Sequence, residues 1–387
     1  MAQTLRQPLS HMKGWQLESF VGTSGLIFQE NLKIPVITTT NDVLIKVEAS
    51  SVNPLDVMMA KGYGRTILSG LRKNMCDIAK NDKIILGRDF SGIVVDAGMN
   101  NDFQIGDEVY GATYPSSQGC HADYVIASSI SMSQKPKNLS HIQASSIPYA
   151  GLTAWSALAI SGGLNLDWKT NHFQQKILVI GASGGVGTFA VQLLKACNYR
   201  VSTKFLIIFF YLIFIDFSFQ VVAVSRDFEL LSKLGADVVL DYTDPEYMST
   251  LHKLASFDVI LDCAGLAENS AKFLELLRPW SNAKLVTLSS PLLKTTDEEG
   301  MIFGSLKTVV DLASKNVSSL TNAYGSTFRY GYFGPNPLAL KRMTQLIQKD
   351  KIVPVIQETF KLSEMPKAFD KVSKGSLRGK IVVDHSN

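Results

Sequence analysis

The chain has 387 residues, of which 46% are hydrophobic and 19% are charged, and its formal net charge is +4. This length allows two or three domains with buried cores, and the modest charge without basic runs argues against nucleic-acid binding. The four cysteines, at positions 76, 120, 197 and 263, form no C-x-x-C pair, so neither a disulfide framework nor a structural zinc site is predicted.

The start of the chain carries only weak targeting signals. No apolar signal-peptide core precedes the first predicted strand, which argues against secretion. Residues 1–11 contain Arg6 and Ser10 but no acidic residue, a composition that hints at a transit peptide. An irregular start upstream of Met12 explains the same composition equally well.

The sequence before about residue 155 predicts a β-rich domain. Val43–Val47 alternates as V-L-I-K-V, Ile93–Val95 is a short apolar run, and Glu108–Tyr110 follows the turn Gly106–Asp107. Short strands separated by Gly, Asn, Asp and Pro are typical of β-rich domains.

A glycine-rich turn lies between a predicted strand and a predicted helix. Residues 176–191 read K-I-L-V-I-G-A-S-G-G-V-G-T-F-A-V, and the helix is expected over Thr188–Ala196. Gly184 would let a pyrophosphate approach the backbone, and Gly187 would let the helix pack close to the strand. The free N–H groups of the helix N-terminus would bind the anion. Because Ala182 occupies the first glycine position of G-x-G-x-x-G, the motif alone leaves a plain strand-to-helix turn open.

The stretch Val201–Gln220 interrupts the expected order of helix and second strand. Without it, Arg200 would join Val221 in a normal helix, turn and strand. Its end dipeptides, Val-Ser and Phe-Gln, can be encoded by the consensus ends of an intron, which favours a retained intron or a gene-model error. A membrane anchor needs roughly 20 apolar residues, more than Phe205–Ile215 supplies, so no transmembrane span is predicted. A surface hairpin is the third reading, and it would expose an aggregation-prone strand.

The predicted second strand ends in Ser225 and Arg226 rather than in an acidic residue. An acid at this position accepts hydrogen bonds from the ribose of NAD, whereas a hydroxyl and a guanidinium suit the 2′-phosphate of NADPH. The sequence therefore favours NADPH. NAD remains the alternative, because the acidic Asp227 follows one residue later and Arg226 could be a solvated loop residue.

The second half of the chain alternates strands with helical stretches, as a doubly wound parallel sheet requires. Strands are predicted at Val259–Asp262 and Lys284–Leu288, and strands return at Gln357–Leu362 and Gly379–Val383. The α/β fold predicted here has a β-rich domain over residues 12–155, a dinucleotide-binding domain over residues 156–334, and a C-terminal segment, 335–387, that returns to the first domain.

Several motifs carry a family resemblance. They are N-P-L-D at 53–56, G-R-D-F-S-G at 87–92, G-D-E-V-Y-G at 106–111, L-T-A-W at 152–155, G-A-S-G-G-V-G at 181–187 and L-R-G-K-I-V-V at 377–383. Together they resemble the zinc-free quinone oxidoreductase branch of the medium-chain dehydrogenase/reductase superfamily, over nearly the whole chain except the insert and the extreme N-terminus. The resemblance implies a GroES-like domain, a Rossmann domain and NADPH.

Within that branch the chain is most similar to mitochondrial members. This similarity implies a mitochondrial location, a link to ubiquinone biosynthesis and a reticulon-type protein partner. If the similarity does not extend to targeting, the expected location is cytoplasmic.

The resemblance also implies a set of cofactor contacts. Residues of the glycine-rich turn would contact the pyrophosphate. Residues at the end of the second strand would contact the 2′-phosphate. Cys263 and Leu288 would form the ribose and nicotinamide wall, where strand ends independently predict ligands. Cys263 could equally fill a core. The complete set is Ser183, Gly184, Gly185, Val186, Gly187, Ser225, Arg226, Tyr242, Cys263, Leu288, Gly331, Phe333, Ser376, Leu377 and Arg378.

Asn53 and Arg88 stand where zinc alcohol dehydrogenases place Cys and His ligands, so no metal is expected. A quinone or enone needs only a hydrogen-bond donor near its oxygen, because the cofactor carries the hydride chemistry. Asn53, Asp56 and Tyr63 lie in the segment expected to line that pocket. N-P-x-D is also a good turn, and Tyr63 could equally be a loop packing residue.

Two other functions fit the same sequence. The first is reduction of an enoyl thioester, in which Tyr63 would donate a proton to the substrate. The second is a non-catalytic NADPH-binding scaffold for a reticulon-type partner, against which the retained glycines and Ser225–Arg226 argue.

Overall fold

The computed structural model describes residues 10–75, 83–99, 102–166, 175–198, 220–266, 270–321 and 325–386. Of the predicted insert, residues 201–219 lie outside the described residues, and Gln220 begins a strand.

The N-terminal half is built mainly from short strands, as the Gly, Asn, Asp and Pro residues between its apolar segments predict. Its strands are β1 (His11–Leu17), β2 (Leu26–Lys33), β3 (Asp42–Val52), β4 (Ile84–Ile85), β5 (Asp89–Ala97), β6 (Glu108–Ala112), β7 (Tyr124–Ser128) and β8 (Met132–Gln134). Its helices are α1 (Pro54–Ala60), α2 (Arg65–Met75), α3 (His141–Ala144) and α4 (Pro148–Trp155), and Ser156–Ser161 continues α4 as a π-helical segment.

The second half alternates strands and helices. It contains β9 (Lys176–Ile180), α5 (Gly185–Asn198), β10 (Gln220–Val224), α6 (Phe228–Lys233), β11 (Val238–Leu240), α7 (Tyr247–Lys253), β12 (Val259–Asp262), α8 (Ser270–Leu274), β13 (Lys284–Thr287), α9 (Leu292–Glu299), α10 (Met301–Thr321), β14 (Thr327–Tyr330) and α11 (Pro337–Ile347). The chain ends with β15 (Ile356–Lys361), α12 (Met365–Ser373) and β16 (Lys380–Asp384). Short 3₁₀ helices lie at Gly22–Gly25, Ser129–Ser131 and Leu362–Glu364.

Six strands of the second half form one parallel sheet in the order β11-β10-β9-β12-β13-β14. Counted from β9, this is the 3-2-1-4-5-6 order of the Rossmann fold. The predicted doubly wound sheet is therefore confirmed. Separate apolar clusters, which contain Val179 on one face and Leu178 on the other, are buried on its two sides.

The strands of the first half join β15 and β16 in a larger mixed sheet, in the order β15-β16-β3-β5-β6-β8 with β7 also paired to β3, and they form a small sheet β2-β1-β4. The C-terminal strand β16 pairs antiparallel with β3, so that Ile381 lies opposite Val52. The end of the chain thus completes a sheet that the beginning starts. The domain limits at residues 155 and 334 remain predictions.

Strand β10 lies where the sequence predicts the second strand, directly after the insert. Val221–Val224 pairs in register with Ile177–Ile180 of β9 and continues to β11. Gln220, the first described residue after the gap, pairs with Lys176 at the start of β9, away from the carboxyl ends of the strands.

We expect deletion of Val201–Gln220 to raise the soluble yield and to change the NADPH dissociation constant less than about tenfold, or about 1.4 kcal/mol. Loop length adds little closure cost, and β10 keeps its register. Soluble yield and cofactor titration of the two chains measure this. A larger gain in affinity on deletion would show that the insert disrupts the cofactor site. A mature transcript that encodes the insert would contradict its origin as a retained intron.

Candidate cofactor and substrate site

A cavity of about 880 Å³ opens at the carboxyl ends of β9, β10 and β12. Ligands of open α/β sheets bind at this edge, because there the strand order reverses and helix N-termini converge. Nine predicted cofactor residues line it: Ser183, Gly184, Ser225, Arg226, Tyr242, Cys263, Ser376, Leu377 and Arg378. Its charged lining is mostly cationic, with Arg226, Lys272 and Arg378 against Asp227. This charge balance suits a ligand that carries phosphates.

The glycine-rich turn has the geometry of a phosphate-binding loop. A Cβ at Gly184 would meet nothing closer than the Gly181 oxygen at 3.5 Å, so packing within the protein does not require glycine there. A Cβ at Gly187 would collide with that same oxygen and lie 2.6 Å from Ala182 Cα. Gly187 therefore serves helix packing, and Gly184 leaves room for a ligand beside the N-terminus of α5. Gly185 and Val186 lie in the first turn of α5 and are absent from the cavity lining.

The tight turn itself is made by Gly181, which the G-x-G-x-x-G register does not identify. Its φ of +71° lies in the left-handed region that glycine adopts at no steric cost. The expected register, which starts at Ala182, is thus shifted from the residue that bends the chain. The apolar strand that ends at Ile180 is the signal that could have identified Gly181.

The far end of the cavity holds Ser225, Arg226 and Tyr242. Ser225 is buried at the end of β10, and its Oγ accepts a hydrogen bond from the Asp227 backbone N–H at 3.2 Å. The Arg226 guanidinium carbon lies 5.5 Å from the centre of the Tyr242 ring, a cation–π distance. A hydroxyl and an oriented guanidinium therefore stand side by side where the second strand ends.

Asp227 is engaged with the protein itself. Its Oδ1 accepts a hydrogen bond from the Leu230 N–H and so caps α6, and its Oδ2 lies 2.8 Å from Arg378 Nε. The Arg378 guanidinium thus partly neutralises the carboxylate that a ribose would otherwise meet. In the sequence, Asp227 keeps NAD open as the cofactor, and its ion pair with Arg378 weakens that alternative.

The segment Ser376–Gly379 lies across the phosphate loop, and we call it the strap. The Gly379 N–H donates to the Ser183 carbonyl at 2.8 Å, and Gly379 forms a parallel bridge with Gly184. Ser376, Leu377 and Arg378 line the cavity. The strap leads directly into β16, so the sheet of the first half is joined to the cofactor loop of the second.

The other predicted wall residues lie at the ends of neighbouring strands but outside the cavity lining. Leu288 follows β13 and Gly331 follows β14, and a Cβ at Gly331 would lie 3.0 Å from Leu288 Cδ2. The Phe333 ring stacks on Tyr149 with the centroids 4.4 Å apart. Cys263 does line the cavity, and burial raises the pKa of its thiol, so it remains a neutral wall residue.

Asn53 is buried in a polar network that the sequence does not reveal. Its Nδ2 donates to Asp89 Oδ2 at 2.8 Å, and its Oδ1 accepts from Lys380 Nζ. Lys380 Nζ also lies 3.0 Å from Asp89 Oδ2, and both charged side chains are buried. Ser51 and the Tyr149 N–H supply further donors to Asp89. Both polar groups of the Asn53 side chain are therefore committed to holding the network.

The Asp56 carboxylate is occupied by groups of the protein itself, which argues against the predicted contact with substrate. It is fully buried, its Oδ2 accepts from the Asn53 N–H at 2.9 Å, and its Oδ1 accepts from the Gly87 N–H at 2.9 Å. Arg88 Nε lies 3.4 Å from Oδ1. The N-P-L-D motif forms a capping box at the start of α1, the turn reading that the sequence left open.

Of the three predicted catalytic residues, Tyr63 has the polar side-chain group that is least engaged by the protein. It is partly buried, and the contact from its hydroxyl to the Ser290 carbonyl is a long 3.5 Å. Burial, with Asp297 and Tyr332 nearby, raises the pKa of Tyr63, so its phenol remains protonated at neutral pH. A protonated phenol is a hydrogen-bond donor.

Buried cations lie at Arg88 and beside Asn53, the two positions at which the resemblance implies the metal ligands of zinc alcohol dehydrogenases. Arg88 is fully buried and donates from its Nη1 to the Tyr114 carbonyl at 2.6 Å, while Lys380 reaches Asn53. Positive charges at both positions disfavour a divalent cation. Among the described residues, no group of three His, Cys, Asp or Glu side chains could hold a metal ion. Absence of a catalytic metal remains a prediction.

Comparisons with known proteins agree with this architecture. Residues 39–137 match the family described as "Alcohol dehydrogenase GroES-like domain" and residues 234–383 the family described as "Zinc-binding dehydrogenase". The chain is 37% identical over 377 residues to "NAD(P)H oxidoreductase RTN4IP1, mitochondrial" of Danio rerio, a match that covers 96% of this chain and 91% of that protein.

Two further matches extend the comparison. The chain is 33% identical over 382 residues to "Reticulon-4-interacting protein 1, mitochondrial" of Caenorhabditis elegans, covering 97% of this chain and 96% of that one. The structure of the quinone oxidoreductase from Coxiella burnetii superimposes with a TM-score of 0.70 at 25% identity, over 97% of this chain and 99% of that chain. The predicted resemblance is thereby confirmed, and the chain belongs to the medium-chain dehydrogenase/reductase superfamily as an NAD(P)H-dependent oxidoreductase.

Proposed function

We propose that the protein uses NADPH to reduce a quinone or a related enone. The observation that carries the cofactor preference is the end of β10, where buried Ser225 and the Arg226–Tyr242 pair face the cavity while Asp227 is paired with Arg378. A hydroxyl and a guanidinium match the oxygens of a 2′-phosphate.

The phosphate loop and the strap would hold the rest of the cofactor. The open side of Gly184 and the N-terminus of α5 suit the pyrophosphate, and Lys272 adds positive charge at the same cavity. When bound, the nicotinamide supplies the hydride. Cys263, at the end of β12, would form an apolar wall.

The substrate needs a hydrogen-bond donor at the oxygen that gains negative charge. We assign this donor to Tyr63 rather than to Asn53, because both polar groups of the Asn53 side chain are engaged by Asp89 and Lys380. Asp56 and Asn53 would act as positioning residues for the start of α1.

Replacement of Tyr63 by Phe should lower kcat for quinone reduction about a hundredfold, since one donor to a developing oxyanion contributes about 10²–10³ in kcat. NADPH binding should be unchanged, because Tyr63 is not part of the cavity lining. Steady-state kinetics with a panel of quinones and of 2-enoyl thioesters measures both. Faster turnover of thioesters would favour the enoyl-thioester reductase, and binding of NADPH without turnover of either class would favour the scaffold.

Replacement of Arg226 by Ala should weaken NADPH binding by at least about tenfold and leave NADH binding nearly unchanged. A hydrogen bond to a charged group contributes about 1.5–3 kcal/mol, and exposure to solvent places Arg226 at the low end of that range. Titration of both cofactors measures the ratio. Equal losses for NADPH and NADH would show that Arg226 does not contact the 2′-phosphate.

The names of the relatives support a location and a partner. Because the matched proteins of Danio rerio and Caenorhabditis elegans are both named mitochondrial, we propose a mitochondrial location, and the second name supports a reticulon-type partner. A role in ubiquinone biosynthesis would follow if a ubiquinone precursor proves to be the acceptor in the quinone panel.

A further inference from the structure

The loop that carries Tyr63 turns sharply on both sides of this residue. Gly62 and Gly64 have φ angles of +90° and +75°, a left-handed backbone that residues with a side chain rarely adopt. The Tyr63 N–H donates to the Met58 carbonyl at 3.1 Å, which ties the start of the loop to α1. Because glycine has many accessible conformations, the direction of the Tyr63 side chain depends on what holds the other end of the loop.

A carboxylate from the second half of the chain holds that other end. Asp297, in α9, accepts hydrogen bonds from the Gly64 N–H at 2.5 Å and from the Thr66 N–H at 2.8 Å, one on each of its oxygens. Thr66 lies in the first turn of α2. The first N–H groups of a helix have no partner within the helix, and a carboxylate bonds them with the added attraction of its charge. Asp297 therefore caps α2 from a distant part of the chain.

The hydroxyl of Tyr63 faces the same short stretch of chain as the loop behind it. Its contact is the carbonyl of Ser290, two residues before α9, and the Ser290 hydroxyl lies 2.8 Å from the Tyr332 hydroxyl. A Cβ at Gly64 would lie 3.2 Å from Leu293 Cδ1, so the loop also packs directly on α9. Both the backbone and the hydroxyl of Tyr63 are thus placed by residues 290–297.

Helix α9 is itself firmly held by the second half of the chain. The buried Thr295 hydroxyl lies 3.0 Å from the Thr308 hydroxyl of α10, and a Cβ at Gly304 would collide with the Thr295 carbonyl. Helix α10 spans 21 residues, and no helix in the described part of the chain is long and apolar enough to cross a membrane. The close packing of α9 on α10 gives Asp297 a rigid support next to the end of β13.

We propose that Asp297 is a positioning residue for the reaction, which fixes the Tyr63 hydroxyl relative to the cofactor by holding the Gly64 and Thr66 N–H groups. This role rests on the proposed function of Tyr63 as the hydrogen-bond donor to substrate. A donor contributes to catalysis only when it is held at the oxygen that gains charge, and a displacement of about 1 Å can cost about a hundredfold in rate. Without Asp297, the two glycines would leave Tyr63 free to move.

Asp297→Ala should lower kcat for quinone reduction at least about tenfold. NADPH binding should be unchanged, because neither Asp297 nor Tyr63 is part of the cavity lining. Asp297→Asn, which keeps one acceptor oxygen, should lose less. Glu298→Ala is the matched control and should keep the wild-type kcat, since Glu298 is the next residue of α9 but is exposed, with its carboxylate 4.0 Å from Lys294 of the same helix.

Combination with Tyr63→Phe separates positioning from a general effect on the fold. If Asp297 acts through Tyr63, Asp297→Ala should cost nothing further in kcat once Tyr63→Phe is present. A double variant that loses the same factor again would overturn the proposal, as would Asp297→Ala with the wild-type kcat. Thermal unfolding checks that each variant is folded at the assay temperature. Tyr63→Phe with the wild-type kcat would refute the proposed donor itself and, with it, the role of Asp297.

Discussion

Replacement of Gly184 by Ala should abolish most binding of both nicotinamide cofactors while leaving the protein folded. The added methyl group would lie 3.5 Å from the Gly181 oxygen, an ordinary van der Waals distance, and would otherwise project into open space. That space is where we place the pyrophosphate, which NADPH and NADH share. We expect affinity for both to fall at least about a hundredfold, or about 2.8 kcal/mol.

Gly187→Ala is the matched control, because the two glycines lie in the same loop but have different surroundings. Its methyl group would collide with the Gly181 oxygen, so it should lower the melting temperature, with a cost of about 1–3 kcal/mol for overpacking. Calorimetry and cofactor titration of both variants separate the effects. Wild-type affinity in Gly184→Ala would show that the pyrophosphate does not approach this loop.

Replacement of Lys380 by Met should destabilise the protein by about 3–5 kcal/mol, the usual effect of removing one partner of a buried ion pair. Asp89 is fully buried, and without Lys380 its carboxylate keeps only neutral donors, from Ser51, Asn53 and the Tyr149 backbone. Chemical denaturation monitored by fluorescence measures the change in the free energy of unfolding.

A second substitution tests the origin of that loss. In the double variant Lys380→Met/Asp89→Asn the uncompensated charge is removed, so most of the stability should return, and the double-mutant cycle should show strong coupling. A single variant that loses less than about 1 kcal/mol, or a double variant with simply additive losses, would mean that the pair contributes little.

Periodicity and turn chemistry were sufficient to predict most of the parallel sheet. The apolar runs at Val259–Asp262 and Lys284–Leu288 are observed as β12 and as β13, which ends at Thr287. The helix predicted at Thr188–Ala196 begins earlier, at Gly185. Buried parallel strands are continuous apolar segments, here bounded by Gly and Asp, and such segments can be recognised locally in the sequence. This holds even next to the insert, because β10 pairs in register with β9 as predicted.

The site was harder to predict because its key contacts join distant parts of the chain. Nothing local to Arg-Gly-Lys at the C-terminal end indicates that Lys380 meets Asn53 and Asp89, or that Arg378 neutralises Asp227. The N-P-L-D motif supports both a turn and a catalytic carboxylate, and only burial of Asp56 decides between them. Local sequence specifies elements, whereas ion pairs between elements depend on the completed topology.

The position of β16 in the sequence also determines when the mixed sheet can be completed during synthesis. Multidomain chains usually fold from the N-terminus as the ribosome adds about 5–20 residues per second. Here β3 can pair early with β5 and β7, but its residues Ala49–Val52 lack their second neighbour until β16 is made, and the strap that joins the phosphate loop is made just before β16. The first sheet to be started is therefore completed only after the parallel sheet has been made, and part of the β3 edge stays unpaired while the second half of the chain is translated.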